Sequence, residues 1–110
     1  LMETTNFTLF RESLSEILGP SGSGKGHVIK RCPNCGDQIY SHFMGLNNLL
    51  VLKTTTLSNA NELPPQAHVF LDSKLEWLKL SDNIPKFDKF YRREEIYSDE
   101  SLERMKIALQ

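Results

Sequence analysis

Cysteine is scarce: the 110-residue chain has two, Cys32 and Cys35. Two thiols are too few for the disulfide framework of a small secreted scaffold, so a reducing compartment is expected, the cytoplasm first and the nucleus as the alternative. Neither charge sign is in excess. Thirteen Lys and Arg against fourteen Asp and Glu leave a net charge of −1. Without a basic surplus nothing draws in a phosphate backbone, and no nucleic-acid partner is expected. No apolar run approaches the roughly 18 residues of a membrane-spanning helix, so no membrane partner is expected. A signal peptide is not recognisable either. Leu1 precedes Met2. The expectation is a stretch of a longer protein, or a degenerate copy with one extra leading residue.

What is present is an ordinary globular balance, 39% hydrophobic and 25% charged. A chain of this length makes one small domain with a modest core. "TNFTLF" alternates apolar and polar residues and predicts a strand, while "RESLSEIL" is ambiguous between strand and short helix. "GPSGSG" predicts a loop. "HVIKRC" predicts a strand with Val28 and Lys30 on opposite faces, "CPNCGD" a tight turn. "QIYSHF" predicts a strand with Ile39, Ser41 and Phe43 on one face, Tyr40 and His42 on the other. "NLLVLKTTTL" is the best buried strand, and "AHVFLD" predicts another. "SKLEWLKL" is a strand or an irregular apolar edge. From Ser81 to Glu95 mixed charges and aromatics predict an extended segment pinned by Phe87, Phe90 and Tyr91. "SDESLERMKIALQ" predicts a helix capped by Ser98, with Asp99 and Glu100 at its positive end and Leu102, Met105, Ala108 and Leu109 at helical spacing.

"GPSGSGKG" stands one residue from a phosphate-binding loop. Gly26 occupies the position where a Ser or Thr hydroxyl would hold magnesium. The helix whose amides would face the phosphates is also missing, because Val28 and Ile29 favour a strand and Pro33 would break a helix. The stretch therefore predicts a connector between antiparallel strands, with Lys25 as a solvated turn lysine.

"CPNCGD" carries more chemistry. A C-x-x-C turn brings two sulfurs to one side of a knuckle, and Gly36 permits the backbone that aims amides at them. Paired thiolates suit zinc. A redox dithiol and two plain thiols are the alternatives, the first disfavoured because such pairs open a helix. Structural zinc takes four ligands. The metal ligands read here are Cys32 and Cys35, and His27, His42 and His68 are the only imidazoles that could add to them. His42 lies on a strand that could return to the knuckle.

"SGSGKGHVIKRCPNCGDQIYS", followed by "LLVLKTTTLSNANELPPQAHVFLDSKLEWLKLSDNIPKF", resembles the C-terminal part of the glutathione-dependent formaldehyde-activating enzyme family, which includes centromere protein V-like proteins. The features in order are a Ser/Gly-rich turn, a strand, R-C-P-x-C-G, a strand entering T-L, a proline break, an apolar strand with His, and K-x-x-W with a later proline-aromatic pair. They span roughly residues 6 to 91. The resemblance implies an antiparallel β-tent-like zinc-binding domain, here incomplete, over residues 1–93, with a helical extension over 94–110. It implies a structural zinc held by an early C-x-C and a later C-x-x-C, to which Cys32 and Cys35 correspond. It also implies a catalytic zinc on a C-x-C-x-x-C cluster that this sequence lacks. The implied activity is carbon–sulfur lyase chemistry on a glutathione–formaldehyde adduct, with a glutathione-type thiol as partner.

No catalytic residue can be carried over, so the polypeptide by itself is expected to be inactive. The alternative is a non-enzymatic zinc-binding interaction domain whose site a partner chain completes, a second copy included. Trp77 is expected in the core and His68 as a satisfied interior or edge histidine. The charged stretch from Lys86 to Glu95 is expected to be solvated.

Overall fold

The aliphatic and β-branched runs pair with one another in chain order. In the computed structural model, which describes residues 1–9, 13–22, 24–80 and 82–110, five strands form one antiparallel sheet. They are β1 (Met2–Glu3), β2 (Ser15–Gly19), β3 (His27–Arg31), β4 (Gln38–His42) and β5 (Leu49–Leu52). Strands β2 to β5 form a meander, each bonded to the next, and β1 adds outside β5. Connections this short permit only antiparallel neighbours.

Register separates the two faces. Ile17 pairs with Ile29, Ile29 with Ser41, and Ser41 with Val51, forming one row across the sheet. Glu16, Lys30, Tyr40 and Leu52 form the adjacent row on the opposite face. Tyr40 and His42 therefore face away from Ser41, as the sequence predicts. Val28 and Lys30, expected on opposite faces, share one, because residues two apart in a strand always do. The β3–β4 ladder shifts register between Lys30 and Arg31, which leaves Ile39 as an extra residue on β4.

The core is small. Leu49 and Leu50 are 2% and 1% exposed, and Met105 is the other buried apolar side chain among the described residues. Ser41 is buried too, on the side of the sheet opposite Leu50, its hydroxyl without a partner. Met105 comes from helix α2 (Asp99–Ala108), which follows the single-turn helix α1 (Arg93–Ile96). Ser98 caps α2 as expected, its Oγ accepting from the Ser101 N–H at 3.2 Å. The helix docks on the sheet's own β1–β5 side: Asn48 Nδ2 donates to the Ala108 carbonyl at 2.8 Å, and Arg104 meets Glu3 at 3.2 Å.

Between sheet and helix the chain is irregular. "AHVFLD" is not a strand. It makes a single parallel bridge, His68 to Lys86, and then a 3-10 turn over Leu71–Ser73. Phe70 adopts a left-handed backbone, φ 57°, which a ladder could not accommodate. "TNFTLF" is not a strand either, since residues Thr4–Asn6 form a 3-10 turn, while its last residue, Phe10, lies outside the described residues. The ambiguous "RESLSEIL" resolves as β2 from Ser15; Arg11 and Glu12 lie outside the described residues. The strand read from "NLLVLKTTTL" ends at Leu52, and Thr54–Thr56 turn away. Trp77 is 74% exposed rather than in the core, because "SKLEWLKL" forms no ladder that could turn it inward.

The aromatics of the strap segment from Asp82 pack mainly on one another: Phe90 stacks on Tyr91 at 4.3 Å, and Tyr91 and Tyr97 bring their hydroxyls to 3.1 Å. The segment, read as extended to Glu95, turns helical at Arg93. Asp82 ties the strap's two halves: one carboxylate oxygen meets His68 Nε2 at 2.9 Å, the other accepts from Lys86 Nζ and the Ile84 N–H, each at 3.1 Å. His68 is thus a satisfied edge histidine. These bonds, His68 first and Lys86 second, lower the Asp82 carboxyl from 3.8 to about 2.

Two outcomes follow from this packing. Leu50→Ala is expected to lower unfolding free energy by about 2–5 kcal/mol in urea titration. A lowered folded-state value means that Asp82 contributes stability above pH 3.8 and loses it as pH falls through about 2. The stability gap between the wild type and Asp82→Asn should therefore be full at neutral pH and close across that interval; a gap constant with pH would show that the carboxylate is unperturbed.

Candidate functional site

The β3–β4 turn builds the most chemically distinctive feature. The Cys32 N–H donates to the Asp37 carbonyl and the Gly36 N–H to the Cys32 carbonyl, both at 2.8 Å. Gly36 closes the turn at φ 77°, and a Cβ there would lie 3.3 Å from the Arg31 guanidinium. That guanidinium is held in place, its Nε donating to the Gly36 carbonyl at 2.6 Å. Asp37 is paired with Lys53 at 2.6 Å, which keeps its carboxyl below the usual range. Lys53 also donates its N–H to the carbonyl of Ile39, the extra residue of the bulge, at 3.0 Å.

Both cysteines sit on this turn, and the Cys32 thiol is held below its ordinary value by the nearby backbone amides of Cys35 and Asn34 and then by the Cys35 thiol. Cys32 is half-buried, Cys35 exposed, and they are not bonded to each other. Two thiols on one turn are soft donors of the kind that could supply two of the four ligands zinc takes.

The other half is not supplied by the residues described. No group of three or more His, Cys, Asp or Glu able to hold a metal occurs among them. His42 does not return to the knuckle. It ends β4, four residues from Gln38, which places it about 13 Å along the strand. His27 starts β3 at that same far end, paired with Gly19. His68 is engaged by Asp82. Antiparallel geometry produces this separation, because both histidines lie at the ends of the hairpin strands opposite their turn.

Sequence reasoning found Cys32, Cys35 and Gly36 but missed Arg31, Asp37 and Lys53 as the frame. Arg31 and Asp37 flank the pair in sequence, yet nothing local shows that Lys53, 16 residues on, reaches Asp37. Elsewhere, His27, Phe43, Val51, Phe70 and Phe90 line a groove of about 370 Å³. Its walls are apolar, with His27 as the one titratable group. The glycine-lysine loop runs from β2 into strand β3 rather than into a helix, as expected of a connector; its Ser23 lies outside the described residues.

A turn of this kind inside an antiparallel meander defines a cysteine-knuckle β domain. Comparison of the chain with family models adds the lineage: the model described as glutathione-dependent formaldehyde-activating enzyme matches residues 1–73. The chain belongs to that family. No curated protein and no solved structure matches it. The matched span includes the knuckle and all five strands, and stops before the Trp77 segment that the sequence resemblance also covers.

With Cys35 replaced by Ser, the pH dependence of Cys32 alkylation should have its midpoint below the ordinary thiol value of 9.0. A midpoint at or above it would mean that the turn amides do not reach the sulfur.

Proposed function

We propose that this chain is a scaffold portion of a formaldehyde-activating-type zinc protein, contributing Cys32 and Cys35 as two of four ligands to a structural zinc. The observation that carries this reading is the family match over the span that holds both cysteines, together with their placement on one turn closed by the Cys32–Asp37 and Gly36–Cys32 backbone bonds. The remaining ligands come from outside the residues described, in the family pattern from an early C-x-C. A thiolate pair alone fits the metal's chemistry but not its coordination number, so no reaction step is assigned to it.

The complete activity is proposed to be carbon–sulfur lyase chemistry on a glutathione–formaldehyde adduct. Catalytic zinc would there supply Lewis acidity and organise the thiol. This sequence has no cysteine beyond the knuckle pair to hold such an ion. What these residues do is structural: Gly36 shapes the turn, Arg31 and the Asp37–Lys53 pair brace it, and β3 and β4 carry it. A second reading, a non-enzymatic zinc-binding interaction domain completed by another chain, draws on the exposure of Cys35.

Metal content and activity test both. The purified 110-residue chain is expected to retain at most half an equivalent of zinc, with two chains sharing one ion, and to lose it in Cys32→Ser and Cys35→Ser. Supplied with zinc, it should not accelerate formation of the glutathione–formaldehyde adduct. A full equivalent of zinc per chain would overturn the half-site, and adduct formation above background would overturn the scaffold role. If a polypeptide bearing a C-x-C restores a full site without activity, the interaction-domain reading is favoured.

A further inference from the structure

The two edges of the sheet are treated differently. Strand β1 is two residues long, and its Glu3 is tied to Arg104 of α2. An edge of two residues offers little for another strand to pair with. Strand β2 has five residues and, among those described, a hydrogen-bonded neighbour on one side only. It carries no Lys or Pro, and its ladder to β3 is unbroken from Ser15–Arg31 to Gly19–His27. Its apolar side chains are open, Leu18 at 72% and Ile17 at 42% exposure.

The chain as a whole has surface to spare. It exposes 8534 Å², whereas a compact monomer of 12.6 kDa exposes about 6,200 Å². The radius of gyration is 15.3 Å, against about 13 Å for a compact domain of this length. A standard interface takes about 800 Å² from each partner, roughly a third of that excess.

We propose that β2 is a self-association edge, and that a second copy of this chain adds to it as an antiparallel strand about a two-fold axis at Ile17. The register is self-complementary. Ile17 meets Ile17 of the second copy, Ser15 meets Gly19, and Glu16 meets Leu18. Like charges never face each other, whereas parallel pairing would stack Glu16 on Glu16. Glu16 brings no unpaired charge, because Lys30 of its own chain already engages it. The row Ile17–Ile29–Ser41–Val51 then continues across the axis, and the two Leu18 side chains become diagonal neighbours within reach of each other. The two-fold pairing uses the β2 edge of both copies, so the product is a closed dimer.

The interface uses neither the cysteines nor zinc, which separates it experimentally from a metal-bridged pair. Sedimentation of the whole chain in EDTA at micromolar concentration should give a species of twice 12.6 kDa. Ile17→Lys and Leu18→Lys should each weaken the dimer about tenfold or more with unchanged circular dichroism, and the exposed-surface control Trp77→Lys should leave it intact. Amide exchange over residues 15–19 should slow as concentration rises. A monomer at that concentration, a dimer dissolved by EDTA while its fold persists, dissociation by Trp77→Lys but not by the β2 variants, or exchange over 15–19 independent of concentration would each overturn the proposal.

Discussion

The hydrogen-bonded turn between Cys32 and Asp37 is the constraint from which the rest of the structure follows. Two backbone bonds, Cys32 N–H to Asp37 and Gly36 N–H to Cys32, set where β3 ends and β4 begins. That choice fixes which residues oppose one another along the hairpin. Ser41 is thereby placed opposite Ile29 and inside, Tyr40 and His42 on the other side. The same two bonds keep both cysteines on one turn and send both hairpin histidines to the far end of the strands. A structural element and a chemical one are therefore a single object, and neither can be altered without the other.

Stability elsewhere is distributed rather than concentrated. Few apolar side chains are fully buried, so single interactions at the periphery carry weight. Among the described residues the C-terminal helix is held by buried Met105, a hydrogen bond from the Asn48 side chain and an ion pair to the first strand. The strap is held by stacked aromatics and by one carboxylate serving three donors. A small core leaves a domain close to its stability limit, where missing surface contacts matter as much as missing interior ones.

The sheet and the knuckle were legible in the sequence for different reasons. The runs "HVIKRC", "QIYSH" and "LLVL" combine β-branched residues with a spacing that only a strand satisfies. The Cys-Pro-Asn-Cys-Gly run admits few conformations at all. The Ser98 cap with its two following acids was equally explicit. What misled was apolar content without a partner. "AHVFLD" and "SKLEWLKL" are as hydrophobic as true strands, but "AHVFLD" finds only an irregular pairing with residues 85–89, and Phe70 turns left-handed there. An indole beside three leucines predicts core packing, but composition alone does not show whether a sheet lies beneath it. The separation of His42 from the cysteines needed the register, which no local signal provides.

The extra residue at Ile39 has a consequence for how such chains can vary. A bulge absorbs one residue without carrying the alternation forward: Gln38 still opposes Arg31 and Tyr40 still opposes Lys30, so Ser41 keeps its side of the sheet. The Ile39 carbonyl is secured by Lys53, beyond the next strand. Loss of this single residue would leave an unbroken ladder with the same partners on the same faces. The arm can therefore shorten by one here without turning over, whereas a residue lost from the paired stretch 40–42 would shift every partner beyond it.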